Sequence, residues 1–308
     1  MERRLRYHGL DLNLLIALDG LLTTRSITQS GTRLHLSQPA MSCALGRLRQ
    51  YFRDDLLVPS GRRMIPTPLA ESLAPQLHDL ILQIDSFMKT DRSFDPATSD
   101  RRFSVVASDN TASVILLEVQ LRLHRLAPDV VLEIVPISDE ALGKLKRGEV
   151  DLAILPNEYA VDECVRAPLY RDVFSCIVWT GNHRIGPRIS LAEYAESDHV
   201  TLQAGAGSPP AFYDRLCNQH GIEIARQFLV PTFGLAALWV VQTDRVATVP
   251  SRIARLYTSY LPVREVEPEF EMPSLEEVMQ WHPSLRNDNG LIWLRQQVAE
   301  VAQPGKQA

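Results

Sequence analysis

The chain has little of what would make it a metal, disulfide or membrane protein. Its four cysteines, Cys43, Cys164, Cys176 and Cys217, are scattered without a CxxC pair or ligand-like spacing. They read as reduced thiols in a cytoplasmic chain rather than as a bridge framework. No apolar run reaches the ~18 residues that cross a bilayer, and Met1-Glu2-Arg3-Arg4 is not followed by a signal-peptide core. The eight histidines are dispersed, with no cysteine or carboxylate at metal-ligand spacing. Neither a metal nor a cofactor is therefore expected, and neither is a membrane partner.

Enzyme signatures are also incomplete. Ser86-Phe87-Met88-Lys89 and Ser108-Asp109-Asn110 imitate the SxxK and SDN elements of penicillin-recognising serine enzymes, but they lie too close together and no KTG follows. Gly205-Ala206-Gly207 lacks the third glycine of a dinucleotide loop and runs into Pro209 and Pro210. No catalytic residue is assigned. There is no internal repeat and no low-complexity tract.

Lysine is absent from the first 65 residues, which hold ten arginines against five acids. That segment carries +5, so the remainder carries −10 within a formal net charge of −5. A basic head on an acidic body suits a protein whose one end meets phosphate.

The head has a helical pattern to match. Leu10, Leu14, Leu15, Leu18 and Leu22 predict one amphipathic helix, and Ser26 with Gln29 caps a second through Leu34. After His35-Leu36, Ser37 is an N-cap and Pro39 sits in a first turn, where its missing N–H costs nothing. Met41, Leu45, Leu48 and Phe52 form an apolar stripe on this third helix. Gln38, Ala40, Ser42, Cys43, Gly46 and Arg47 form an opposite face of small groups with one amide and one guanidinium. Such a face can approach base edges, since Gln reads adenine and Arg reads guanine or phosphate. Leu56-Leu57-Val58 and Met64-Ile65 flank Ser60-Gly61-Arg62-Arg63, a strand–turn–strand with arginines at its tip. The sum is a winged helix-turn-helix.

Three stretches, Gly9-Leu10-Asp11-Leu12-Asn13-Leu14-Leu15, Leu36-Ser37-Gln38-Pro39-Ala40-Met41-Ser42 and Arg47-Leu48-Arg49-Gln50-Tyr51-Phe52, resemble the DNA-binding domain of the LysR-type transcriptional regulators, most closely the NodD-like branch. The resemblance extends over almost the whole chain. It implies a DNA-binding regulator acting on double-stranded promoter DNA as a homodimer or homotetramer, with a small, aromatic or phenolic effector. The residues so assigned to DNA are Ser37, Gln38, Pro39, Ser42, Cys43, Arg47, Arg49, Arg62 and Arg63. Cys43 and Gly46 stand where relatives often carry larger or polar groups, and Ser30-Gly31 replaces a common Ala-Ala.

Thr67-Pro68 starts another helix, in which Leu69, Leu73, Leu77, Leu80, Ile84 and Phe87 approach an a/d seam, with Pro75 expected to kink it. The seam is expected to pair with the same helix of another subunit. A polar linker follows from Lys89 to Asp100. Beyond it, strands (Arg102–Ala107, Val131–Val135, Asp151–Leu155, Val173–Trp179, Val200–Leu202, Phe228–Val230, Val246–Val249) alternate with helices (Thr111–Leu126, Asp139–Arg147, Pro209–His220, Phe233–Gln242). This predicts an α/β body of mainly parallel sheets, and the resemblance implies two subdomains like those of periplasmic binding proteins. The expected boundaries are a winged helix-turn-helix at 1–67, a linker helix at 68–90 and an effector domain at 100–303. Within the last, subdomain I takes about 100–171 and 273–303, and subdomain II about 172–272. Glu265, Glu267, Glu269 and Glu271, alternating with Val266, Pro268, Phe270 and Met272, predict a solvated strand face.

Ligands of open α/β sheets sit beyond the carboxyl ends of strands. The effector candidates are therefore Ser108, Asn110 and Thr111 at one strand-to-helix turn, Asn157, Thr201 and Gln203 at other strand ends, and Phe233 as an apolar platform. Asp109 argues against a purely anionic effector. The alternatives are a redox-sensing regulator switched by oxidation of Cys164, Cys176 or Cys217 and, more remotely, a serine hydrolase with a DNA-binding head.

Overall fold

A computed structural model describes residues 10–60, 63–89, 94–202, 212–224 and 226–303. The chain divides into two compact units at residues 91/92. In the first, α1 (Leu12–Thr24), α2 (Ile27–Arg33) and α3 (Gln38–Phe52) are followed by strands β1 (Leu57–Ser60) and β2 (Arg63–Pro66), then α4 (Pro68–Lys89). Three short side chains start the three helices: Asp11 accepts from Leu14 N at 3.0 Å, Ser26 from Gln29 N at 3.3 Å and Ser37 from Ala40 N at 3.3 Å. The predicted stripe is the core, where Met41, Leu45 and Leu48 meet Leu14, Leu18 and Leu21 of α1. Gly31 is required by this packing, because a Cβ there would lie 2.8 Å from the Leu36 carbonyl. β1 and β2 pair antiparallel from Leu57↔Pro66 to Ser60↔Arg63.

The expected seam on α4 divides into two faces. Ala70 and Leu77 are buried in the core of their own unit, whereas Leu69 and Leu80 are exposed. The helix continues through Pro75. His78 Nδ1 lies 2.9 Å from Asp19 Oδ1, tying α4 to α1. An apolar groove of about 500 Å³, lined by Leu15, Phe52, Leu73, Leu77 and Leu80, runs beside the contact.

In the second unit, β3 (Arg102–Ala107) leads into the short α5 (Asp109–Thr111), a π-helical turn (Ala112–Leu116) and α6 (Leu117–Leu126). Then come β4 (Val131–Pro136), α7 (Asp139–Lys146), β5 (Leu152–Pro156) and the long β6 (Val165–Trp179). The chain continues through β7 (Arg188–Ile189), α8 (Leu191–Glu196), β8 (Asp198–Leu202), α9 (Phe212–His220), β9 (Arg226–Val230) and α10 (Phe233–Trp239). It ends with β10 (Val246–Pro250), α11 (Ser251–Thr258), β11 (Val263–Pro268), β12 (Ser274–Trp281) and α12 (Asn289–Ala302).

The strand order is β4-β3-β5-β12-β6-β10-β8-β9, with β11 and β7 off this path. The flanks are parallel as expected, but the centre is antiparallel: β12 runs against β5 and β6, and β6 against β10 and β11. The reason is topological. β6 carries the chain from one lobe to the other, exchanging β12 for β10 between Val173 and Phe174, and β12 carries it back. The return lets α12 pack Leu291, Leu294 and Val298 onto Phe103 and Ile115 of the first lobe. The acidic comb is a solvated edge: Glu265 and Glu267 are exposed while Val266 is buried.

Candidate DNA-reading face and effector cleft

On α3, Gln38, Pro39, Ala40, Ser42, Cys43, Arg47 and Gln50 are exposed, opposite the buried stripe. Pro39 lies in the first turn, so the helix begins without an orphaned N–H at that position. Arg47 reaches Asp11 Oδ2 at 3.5 Å, a contact at the limit of a hydrogen bond that leaves its other donors available. Arg49 is committed elsewhere: its guanidinium donates to the carbonyls of Asp55 at 2.8 Å and Leu57 at 2.7 Å. It holds the entry of the wing in place, a task for a planar fork. Arg62 and the Arg63 side chain lie outside the described residues, while the Arg63 backbone begins β2.

The turn over Arg53, Asp54 and Asp55 leads into a constrained residue. Leu56 adopts φ +58° while fully buried, a conformation disfavoured for a branched residue. Asp54 compensates. Its Oδ1 accepts from Leu56 N at 2.7 Å and from the Thr67 hydroxyl at 2.6 Å, joining the turn before the wing to the start of α4.

In the second unit the carboxyl end of β3 faces α10. Ser108 caps α5, accepting from Thr111 N at 3.2 Å, and its hydroxyl lies 3.3 Å from that of Thr111. The two hydroxyls are thus engaged with each other, and Asn110 and Thr111 are fully buried. Asp109 provides the link between lobes: its Oδ2 accepts from Gly234 N at 3.0 Å. Burial raises the Asp109 pKa, and backbone N–H groups of α10 partly offset that. Phe233 sits beside this contact, its ring 6.5 Å from that of Phe174. Thr201 is buried and donates to Gln227 at 3.3 Å. Asn157 is exposed and accepts from Arg166 at 3.0 Å, away from this cluster's hydrogen bonds. Gln203 lies outside the described residues. Ser108, Asn110, Thr111 and Phe233 are therefore brought together through Asp109.

Four charged groups here carried no sequence signal. Glu158 and Arg215 form a two-pronged ion pair between the lobes, one prong at 2.9 Å. Glu277 on β12 stands opposite Tyr170 on β6, where the lobes join. Next to them Asp172 accepts from the Ser251 hydroxyl at 2.5 Å and Arg252 N at 3.2 Å, gripping the start of α11. Burial, aided by the charge of Asp172, pushes the Glu277 carboxyl up to about 8. Burial likewise raises the Tyr170 phenol, over whose ring Arg252 lies at 4.3 Å. Glu277 Oε2, the Tyr170 hydroxyl and Asn110 Oδ1 make no hydrogen bond of normal geometry among the described residues.

Two of the three cysteines of the redox alternative are held as thiols, and Cys217 is partly exposed. Cys176 is fully buried and its thiol is pushed up to about 12 by desolvation; Cys164 is buried and pushed up to about 11. A thiolate is the reactive species, so neither is poised for oxidation.

Comparison with known proteins places this geometry in a family. Residues 12–71 match the model of the bacterial regulatory helix-turn-helix protein, lysR family, and residues 97–303 match the LysR substrate binding domain. The chain is similar to Nodulation protein D 1 of Sinorhizobium fredii, 38% identical over 293 residues, covering 95% of this chain and 91% of that protein. It is similar in structure to a probable transcriptional regulator from Pseudomonas aeruginosa, with TM-score 0.62, 26% identity, and coverage of 94% of this chain and 97% of the other. Full-length OxyR from the same organism shares the fold at TM-score 0.70 and 17% identity, covering 98% of this chain and 99% of the other. A capped helix with an outward polar face, a two-stranded wing, and a two-lobed α/β body later in the chain are thus accounted for together: the chain belongs to the LysR family of DNA-binding transcriptional regulators.

Proposed function

We propose that the chain acts in the cytoplasm as a homodimer or homotetramer on double-stranded promoter DNA. In this reading α3 enters the major groove, with Gln38 and Ser42 at base edges and Arg47 beside the backbone. The wing arginines Arg62 and Arg63 meet phosphate, and the outward face of α4, with Leu69 and Leu80, pairs with a second copy. The observation that carries the reading is the exposed polar face of α3, whose opposite side is fully used by the core. Cys43 lies within the groove-facing surface, whereas Arg49 supports the wing from behind.

The second unit holds a small effector between the lobes, beside Asp109 and Phe233. Asp109, Glu158 and Asp172 line or support the junction, while Arg215 and Arg252 are already engaged. This balance disfavours an anion and suits a neutral aromatic ligand with hydroxyl groups, a phenol. In the SDN-like element of the hydrolase reading, Ser108 has no base in its hydrogen bonds, while the Ser86 side chain of the SxxK-like element lies outside the described residues.

The test uses the full chain and two DNA duplexes, one selected by the chain from a random pool and one unselected. Gln38→Ala should weaken the selected duplex by about 1–3 kcal/mol, the worth of a bidentate base contact, and leave the unselected one nearly unchanged. Equal losses on both would make Gln38 a positioning residue and overturn this docking.

A further inference from the structure

Past its base the wing has little to lean on. Leu57 is buried and Met64 packs against the core, whereas Pro59, Ser60 and Ile65 are exposed. Ser60 lies three residues beyond Leu57, so the far end of β1 extends about 10 Å from the last buried side chain. A lever of that length turns a small change of angle at the base into a large displacement at the far end. The direction of the wing is therefore set where its two strands enter and leave.

Asp54 holds both ends of that base. Its Oδ1 accepts from Leu56 N at the entry and from the Thr67 hydroxyl at the exit. Thr67 in turn donates its N–H to the Leu56 carbonyl at 2.9 Å and caps α4, accepting from Ala70 N at 3.2 Å. Entry, exit and the start of α4 thus meet on one carboxylate oxygen. Leu56 needs the restraint. At φ +58° its backbone occupies a region that branched residues avoid, and without a fixed partner for its N–H it is drawn toward the extended region, swinging β1 with it. Arg49 pins the carbonyls on either side, at Asp55 and Leu57, but leaves the Leu56 N–H and the exit strand to Asp54.

We propose that Asp54 is a positioning residue for DNA binding: by holding Leu56 in its left-handed conformation and tying it to Thr67, it aims the wing at the phosphate backbone. The inference rests on the wing docking proposed above. It assigns the aim of Arg62 and Arg63 to a residue whose own charge is wrong for touching phosphate. That charge fixes the sign of the test. An aspartate in a basic head repels DNA, so loss of the charge alone should tighten binding, whereas loss of the two acceptor bonds should weaken it.

Asp54→Asn and Asp54→Ala separate the two effects, because both discard the charge and only the amide keeps an acceptor oxygen for Leu56 N and Thr67. In the full chain, Asp54→Ala should bind selected and unselected duplexes alike about tenfold more weakly, since phosphate contacts carry no sequence. Its salt dependence should flatten by up to about 2 in log–log slope, as far as that of Arg62→Ala/Arg63→Ala. Asp54→Asn should keep the wild-type slope. Added to the double arginine variant, Asp54→Ala should change affinity by less than about twofold; added to Gln38→Ala, it should cost as much as in the wild type. A general loss of the folded head would instead lower affinity in every background with the slope unchanged, and that result overturns the proposal. So does an Asp54→Ala chain that binds as the wild type does. If Asp54→Ala melts the first unit, Thr67→Val, which removes one of the two bonds to Asp54, carries the same comparison. If the double arginine variant alone binds as the wild type does, the wing docking fails and the proposal with it. If that variant is weakened and Asp54→Ala adds to it in full, the docking stands and only the role of Asp54 is wrong.

Discussion

The two units carry their functions on opposite kinds of surface. In the first, the groups of α3 proposed to face DNA stand on the outside of one helix, within ten residues of each other in sequence from Gln38 to Arg47. In the second, the groups around the cleft come from strand ends and helix starts far apart in the chain, as with Asp109 and Gly234 or Tyr170 and Glu277. A helix face is set by local periodicity, so its chemistry follows from spacing alone. A cleft is set by strand order, so its chemistry exists only after the sheet has formed.

The largest effect that would sharpen this contrast is expected at Leu77. Leu77→Asp puts a carboxylate into the core shared by α1, α3 and α4, and should cost at least about 3–5 kcal/mol from lost burial and an unpaired buried charge. The first unit should lose its cooperative melting transition and all DNA binding, while the second unit keeps its own transition. Leu80→Asp, on the exposed face, should leave the first unit folded and lower the sedimentation coefficient by breaking subunit pairing. A Leu77→Asp chain that retained a folded first unit would mean that α4 contributes nothing to that core.

Leu77 also marks where the sequence stopped being legible. A repeat of leucines at spacings of three and four says that a helix buries one stripe, not against what it buries it. Leu77 and Leu80 therefore read alike, although one faces its own unit and the other faces outward. Arg49 shows the same limit. Beside Arg47 it reads as a second phosphate ligand, and only the turn at Asp55–Leu57, folded back beneath α3, shows that its donors are engaged. Ser37, Pro39 and the capped start of α2 were readable because capping is a local exchange between a side chain and the N–H groups three residues on. β12 was not readable as a strand. Leu275, Val278, Met279 and Trp281 leave no alternation in the segment, as expected for a strand buried on both faces at the sheet centre. With β12 unread, neither Glu277 nor the antiparallel centre of the sheet could be foreseen.

Glu277 gives a second, smaller way to test the contrast. Its folded pKa of about 8 lies above the roughly 4.3 of an unfolded glutamate. Between those values the folded state holds a proton that the unfolded state has lost, so stability falls as pH rises through this window and levels off above about 8. Glu277→Gln keeps the shape and cannot ionise. It should flatten the pH dependence of the second unit's melting transition and stabilise that unit at pH 8 by several kcal/mol, on the order of 2–5. The first unit's transition and the affinity for unselected DNA should not move. Melting curves collected from pH 5 to 9 decide it, and a variant whose slope matches the wild type would show that Glu277 is not the titrating group.

The smallest expected effect concerns the ion pair at Glu158 and Arg215, and it probes the cleft's preference for ligand charge. Both side chains are partly solvated, with 31% and 41% of their surface exposed, so the pair itself contributes less than about 1 kcal/mol. Its consequence for recognition is nevertheless definite. While Glu158 occupies the guanidinium fork, Arg215 has little left to offer an anion. Glu158→Gln leaves Arg215 with a weaker, uncharged partner. The variant should bind arylcarboxylates up to about fivefold more tightly than the wild type does, the equivalent of the charge pair it has lost. Affinity for neutral phenols should stay within about twofold. Calorimetric titration of the full-length chain with a matched phenol and arylcarboxylate provides the comparison. An unchanged ratio between the two ligands would place effector recognition away from this ion pair, and a fall in phenol affinity would make Glu158 itself a ligand contact.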